Sequence, residues 1–155
     1  MIRKVTQNCI DLIKHYEGFR ETAYICPAGY KTIGYGHLVP NGENIQTIGI
    51  QQAEIYLYTD LINSEKSVLR LIRVPLEDYQ FDALVSFVFN LGGGALQRSI
   101  LRQKVNREEH DLVPQEFIKW VYASGRKLSG LIKRRNTEAL LYAIAELYFN
   151  GAYNI

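Results

Sequence analysis

The chain has 155 residues, 47% of them apolar and 22% charged. That suffices for one domain with a sizeable core and excludes a low-complexity or fibrous polymer. The net charge of +2 is uneven: from Arg98 to Arg135 ten Lys/Arg stand against four Asp/Glu, and in the remainder eight stand against twelve. This distribution fits either a polyanionic partner or an ordinary solvated helix surface.

Cys9, Leu12, Ile13 and Tyr16 recur at i, i+3, i+4 and i+7, which predicts a helix over roughly residues 3 to 16. Cys9 falls on its apolar face as a small core residue. Gly18 suits a left-handed turn that stops the helix. The opening segment MIRKVTQNCIDLIKHYE has no uninterrupted apolar stretch, so no signal peptide is expected and the protein is expected to be made in a cytoplasm. No apolar run approaches the ~18 residues of a membrane span, so no stable membrane insertion is expected.

Residues 22 to 38 change period and predict a hairpin. Pro27 suits the second position of a turn over Cys26-Pro27-Ala28-Gly29, and Gly29 suits the fourth. In the second strand, Tyr30 to His37, alternation places Thr32, Gly34 and Gly36 on one face, left bare for a ligand or another backbone. Asn41-Gly42 marks another turn. Ile50 to Ile72 keeps near-helical spacing and ends before Pro75, giving a helix roughly 30 Å long that can join two lobes. Beyond it the chain is predicted all helical. Phe81, Leu84, Val85 and Val88 form a buried stripe, and Leu91-Gly92-Gly93-Gly94 breaks that helix. A short helix carries Leu96 to Val105. Another covers Pro114 to Tyr122, Ser124-Gly125 turns the chain, and a last helix runs from 129 to about 149.

Three groups with chemistry fall around the predicted hairpin. A carboxyl at a helix C-terminus, as at Glu17, meets the negative end of the macrodipole. With partial burial, that favours the protonated form which a general acid requires. Glycoside hydrolysis pairs such an acid with a second group across the sugar ring. Thr32 can hold an attacking water, since its hydroxyl both accepts and donates. Cys26 can accept a proton or carry negative charge as thiolate, or simply fill the hairpin tip. His37 reads as a hydrogen-bonded structural residue rather than a base. Arg134 or Arg135 can bind an anion or pair with Glu17. The triple glycine is not a phosphate loop, lacking Gly-Lys-Ser/Thr, and the two cysteines form neither a disulfide framework nor a metal site. No cofactor is expected.

The run Glu17-Gly18, Ala23-Tyr24, Cys26-Pro27-Ala28-Gly29 and Thr32-Ile33-Gly34-Tyr35-Gly36-His37 resembles the phage-type lysozymes, glycoside hydrolase family 24. So do Gln80 to Leu84, Phe87 to Gly92, Trp120, and Gly130-Leu131 with Arg134-Arg135. The matches hold their order from about residue 8 to 149. The resemblance implies a mostly helical α+β fold with an active-site lobe at about 14–60. A connecting helix at about 50–72 joins it to a helical lobe at about 1–13 and 73–155, all within one domain, 1–155. It implies a muramidase that cleaves the β-1,4 bond between N-acetylmuramic acid and N-acetylglucosamine in peptidoglycan. The implied catalytic residues are Glu17 and Thr32, with Cys26 where the family commonly has Asp. The implied substrate-binding residues are Leu38, Phe89, Asn90 and Ser99. It further implies a monomer acting on glycan strands, with no nucleic-acid partner, that leaves the host bacterial cytoplasm through a holin pore to lyse the cell. Two other readings stand beside it: a catalytically weak peptidoglycan-binding module, in which Cys26 marks a lost group, and a basic nucleic-acid-binding helical protein, for which no recognised motif is present.

Overall fold

The structure is a computed structural model, and its description covers residues 1–149. Residues 150–155, the end of the expected helical lobe, lie outside the described residues. The elements in order are α1 (Gln7–Glu17), β1 (Arg20–Ile25), β2 (Lys31–Gly34), β3 (His37–Leu38), α2 (Ile50–Leu71), α3 (Asp78–Leu91), α4 (Gly93–Gln97), α5 (Ile100–Asn106), a 3-10 turn (His110–Leu112), α6 (Val113–Phe117), β4 (Tyr122–Ala123), β5 (Arg126–Lys127) and α7 (Ser129–Phe149). The expected fold class, mostly helical α+β with a small sheet, is the one observed.

Helix α1 starts about four residues later than its apolar period predicts. Residues 3–6 spend their polar groups elsewhere. Val5 N–H donates to Glu65 Oε1 at 3.0 Å, and Thr6 N–H donates to Asp82 Oδ1 at 2.9 Å. Arg3 pairs with Asp78 at 2.8 Å. Three carboxylates on α2 and α3 thus hold this segment outside the helix. At its other end α1 closes on Gly18, with φ +66° and ψ 158°. That is a positive-φ extended conformation rather than the left-handed helical turn the sequence suggests, and it still favours glycine.

The sheet is antiparallel in the order β1-β2-β3. Tyr24 faces Thr32, and Thr32 faces Leu38. Gly29 N–H donates to the Cys26 carbonyl at 2.8 Å, closing the turn that Pro27 and Gly29 predict. The expected strand from Tyr30 to His37 does not run through. It ends at Gly34, where Gly34 (φ +64°) and Gly36 (φ +77°) reverse the chain so that Ile33 pairs with His37. Gly36 therefore belongs to a turn and does not extend the Thr32 face.

Helix α2, at 22 residues, is about 33 Å long. Its first half packs on β2 and β3, and it also packs on α3 and α4. Ala53 presses against Gly34, where a Cβ would come within 3.1 Å of the Ala53 methyl. Helix α3 is the centre of the molecule. Every residue from Gln80 to Val88 is buried, against α1, α2, α4 and α7. It starts with a reciprocal capping box between Glu77 and Gln80. Only Gly92 (φ +86°) breaks the chain after it, for Gly93 and Gly94 open α4.

The rest of the chain is not all helical. The helix expected over 114–122 is the single turn of α6, and β4 and β5 form a two-residue hairpin. Its turn is Ser124 (φ +50°) and Gly125 (φ +74°), a pair of positive φ values that suits the twist of a tight hairpin. The core is one cluster running from Cys9 and Ile13 through Leu57, Leu84 and Phe87 to Leu101, Phe117 and Tyr142. Phe87 meets Phe117 and Trp120 edge-on at 5.8 and 5.4 Å. Replacing Phe87 with Ala empties that junction, and a loss of roughly 3–5 kcal/mol is expected in urea unfolding, with an unchanged denaturant slope.

Candidate active site

Glu17 is the last residue of α1, so its side chain leaves the helix just where Gly18 turns the backbone away. Its side chain is 20% exposed. Arg134 of α7 donates from Nη1 to Glu17 Oε1 at 2.6 Å. The Gly36 turn reaches the other oxygen: a Cβ on Gly36 would lie 2.8 Å from Glu17 Oε2. Three separate parts of the chain thus converge on one carboxyl group.

Two cavities meet there. One, of about 340 Å³, is lined by Tyr16, Glu17, Asn90, Arg134 and the Leu128–Leu131 segment that follows β5. The other, of about 230 Å³, is lined by Gly36, Leu38, Asp60, Asn63, Ser64 and Phe89. Gly36 of the second cavity touches Glu17 of the first, and Phe89 of the second precedes Asn90 of the first. Asn90 thus shares a cavity with Glu17, while Leu38 and Phe89 line the neighbouring one.

The sheet contributes a second polar group. Thr32 is 3% exposed, and its hydroxyl lies 3.0 Å from the Tyr30 carbonyl. It also reaches the half-buried Cys26 thiol. While its one proton goes to Tyr30, the hydroxyl can still accept from the Cys26 S–H; toward a thiolate it donates to the sulfur instead. The Tyr30 backbone, then the Thr32 hydroxyl and the Ala28 and Gly29 backbones, hold the Cys26 thiol below its ordinary range, against a smaller opposing effect of burial. The turn thus acts as a nest of N–H groups around the sulfur. Cys9, in contrast, is pushed well above that range by burial and by Asp82.

Tyr24 connects the two groups. Its phenol is pushed up by burial first, then by Glu17, with Arg20 opposing and Cys26 adding. The carboxyl and the sulfur thus act on the same ring. Tyr24 carries no role in the motif reading, although its place opposite Thr32 follows from simple hairpin alternation.

The remaining candidates separate clearly. Arg135 does not reach Glu17. It is fully buried, bonds Asn90 Oδ1 through Nη2, and lies over Phe87. His37 donates or accepts at Nδ1 with Asp60 at 2.9 Å and stacks on Tyr56 at 4.1 Å, so it is tied into the structure. Ser99 is not at the Glu17 cavity. It caps α5, accepting from Arg102 N–H at 3.0 Å and donating to the Leu96 carbonyl at 2.7 Å. It lines a separate cavity of about 390 Å³ with Arg98, Glu116, Lys119 and Trp120. Asp60, Ser86 and Glu138, which support the site from beneath, carry no signal in the sequence beyond being polar on a helix.

The geometry finds counterparts in known proteins. Residues 14–138 match the family described as phage lysozyme. The endolysin of Bacillus phage B103 is 39% identical over 144 residues, covering 92% of this chain and 55% of that protein. The endolysin of Acyrthosiphon pisum secondary endosymbiont phage 1 is 40% identical over 146 residues, covering 91% of this chain and 99% of that protein. The chain thus spans about half of one relative and nearly the whole of the other. Among solved structures, the muramidase domain of SpmX from Asticaccaulis excentricus superposes with a TM-score of 0.82 at 33% identity, covering 90% of this chain and 97% of that one. The class is that of the lysozymes, glycoside hydrolases with a small sheet packed against helices. This chain belongs to the phage lysozyme family. No helix among the described residues is long and apolar enough to cross a membrane.

Two measurements check this geometry. Gly36→Ala combines a strained positive φ with a clash against the Glu17 carboxyl, and a loss of roughly 1–3 kcal/mol in urea unfolding is expected. The lowered thiol predicts that Cys26 stays a thiolate to lower pH than a free cysteine. Its alkylation by iodoacetamide, followed by mass spectrometry, should reach half-maximal rate below the reference value of ~8.5, with Cys9 unreacted in the folded protein. A midpoint at or above that reference refutes the nest.

Proposed function

We propose that this protein is a muramidase that hydrolyses the β-1,4 bond between N-acetylmuramic acid and N-acetylglucosamine in bacterial peptidoglycan. Glu17 is the general acid that protonates the glycosidic oxygen. Thr32 holds the attacking water, and Cys26 takes the place of the family's usual Asp, as base or as negative charge beside that water. The observation that carries the reading is the meeting of Glu17 with Arg134 and with the bare backbone of Gly36, beside the cavity that Glu17 and Arg134 line. A glycine there lets the turn backbone lie directly against the carboxyl. The names of the relatives, endolysin and muramidase domain, support it.

Leu38, Phe89 and Asn90 line the glycan path on either side of Glu17. Ser99 contributes only if the strand continues to the Trp120 cavity. The residues from about 14 to 60 form the active-site lobe, and α2 joins it to the helical lobe. The enzyme works as a monomer on glycan strands and brings about host lysis after leaving the host cytoplasm through a holin pore. A water nucleophile delivers the product with inverted anomeric configuration. One observation favours a second reading, a peptidoglycan-binding module with little turnover. It is the thiol itself: a free cysteine has a reference pKa of ~8.5, whereas a carboxylate at this position would be fully charged at neutral pH.

Clearing of purified peptidoglycan separates the two. Wild type should clear it. Glu17→Gln should lose roughly 10²–10⁴-fold and Cys26→Ala roughly 10²-fold, while Cys26→Asp should remain active. Binding without clearing by the wild type selects the second reading. Proton NMR of the first-formed sugar should show the inverted anomer, and a retained one rules out direct attack by water.

A further inference from the structure

The polar cluster behind Glu17 contains more than a single ion pair requires. Arg134 is 3% exposed and spends its nitrogens on three elements. Nη1 donates to Glu17 on α1 at 2.6 Å, and Nε to Glu138 Oε1, one turn further along α7, at 3.3 Å. Nη2 donates to the Ser86 carbonyl on α3 at 3.3 Å. Glu138 is fully buried and accepts from Ser86 Oγ at 2.7 Å. Its other oxygen, Oε2, lies 3.2 Å from Arg135 Nη1 without a hydrogen bond, and that Nη1 has none either. A buried carboxylate with one oxygen left unbonded is a poor stabiliser of the fold. Something other than packing accounts for a carboxylate at this position.

We propose that Glu138 is a positioning residue for the hydrolytic reaction: it fixes the Arg134 guanidinium against Glu17, and its charge sets how strongly that guanidinium acts on the Glu17 carboxyl. The inference rests on Glu17 being the general acid. A guanidinium is a rigid planar fork. Held at Nε by Glu138 and at Nη2 by Ser86, it has Nη1 left to aim into the cavity. The charges in the cluster are two guanidiniums and two carboxylates. With Glu138 ionised, Arg134 is shared between Glu138 and Glu17. With Glu138 neutral, Arg134 and Arg135 act on Glu17 undiluted, and the proton that a general acid must hold is lost at lower pH.

Cys9 feels both Arg134 and Glu138, and other ionisable groups lie on the elements around α3 and α7. Cys9 on α1 and Asp82 on α3 are both pushed up, by burial first. His110 bonds Tyr142 at 2.7 Å, and Glu116 on α6 is held by Lys104 and Lys119. Within the cluster, burial pushes the Glu138 carboxyl up, while Arg135, Arg134 and the Ser86 hydroxyl pull the other way. Burial also draws Arg135 down to about 10.

The test is the pH profile of reducing-sugar release from peptidoglycan for wild type, Glu138→Gln, Glu138→Asp and Ser86→Ala, with circular dichroism on each. In Glu138→Gln the descending limb should move to lower pH by about one unit, with KM little changed. Glu138→Asp keeps the charge and should return the limb toward the wild-type position. Ser86→Ala removes a bond that supports the ionised carboxyl and should move the limb the same way by less. If Glu138→Gln does not fold, the Ser86→Ala profile decides. An active wild type whose limb does not move in these variants, or a loss that is uniform across pH, overturns the proposal alone. A wild type that releases no sugar at any pH overturns the hydrolase reading, and this one with it.

Discussion

The 2.6 Å contact between Arg134 and Glu17 is the interaction on which the rest of the structure depends. Its partners lie 117 residues apart, one at the end of α1 and the other near the start of α7. An exposed pair of this kind contributes little, because water screens it. Here the guanidinium is buried, so breaking the pair would strand a charge in the core, which costs several kcal/mol. α1 and α7 are both held against α3, one through the Cys9 thiol on the Asp82 carbonyl and the other through Ser86. The carboxyl at the cavity wall is thus positioned by the centre of the fold rather than by a loop. A side chain built on such a base is held more precisely than one on a loop.

The sheet acts on the same carboxyl from the other side, through what it leaves out. Gly34 yields to Ala53 and Gly36 yields to Glu17, and both need positive φ. Two small residues let the turn press against α2 and the end of α1 at once. A side chain at either place would push the sheet off the helices and widen the cavity wall. Thr32 lies on β2 just before this turn, and Cys26 lies in the turn that precedes β2. The hairpin and the carboxyl are therefore coupled by packing, although no hydrogen bond joins them.

Much of this was legible in the sequence, for reasons that are local. The periods of α1, α2 and α3 follow from single apolar faces, and the Pro27-Gly29 turn follows from the φ values those residues favour. What was hidden depends on distant partners. Residues 3–6 continue a helical pattern, yet the N–H groups of Val5 and Thr6 go to Glu65 and Asp82, more than 50 residues away. Gly36 reads as one more residue of a strand until its contact with Glu17 is known. Ser99 reads as a polar residue near the cleft, and its hydroxyl proves to be consumed by the start of α5. β4 and β5 are two residues each, too short for any alternation to show. Glu138 looks like one more charge on a helix, since nothing in its neighbours along the chain says that Ser86 lies across from it.

The same distinction between local and distant control bears on Cys26. A carboxylate at that position would be ionised at neutral pH with no help from its surroundings. A thiol needs a field, and the field here is supplied by the turn itself: the Tyr30, Ala28 and Gly29 backbones and the Thr32 hydroxyl all favour the thiolate. These groups lie within six residues of the sulfur in the chain, so the device is carried by one hairpin and does not depend on the buried cluster. Glu17 is the reverse case. Its neighbours in sequence say only that a helix ends there, and its place is fixed by Arg134, which Glu138 holds in turn. Cys26 and Glu17 are thus held by different parts of the fold, one by its own hairpin and the other by partners far along the chain.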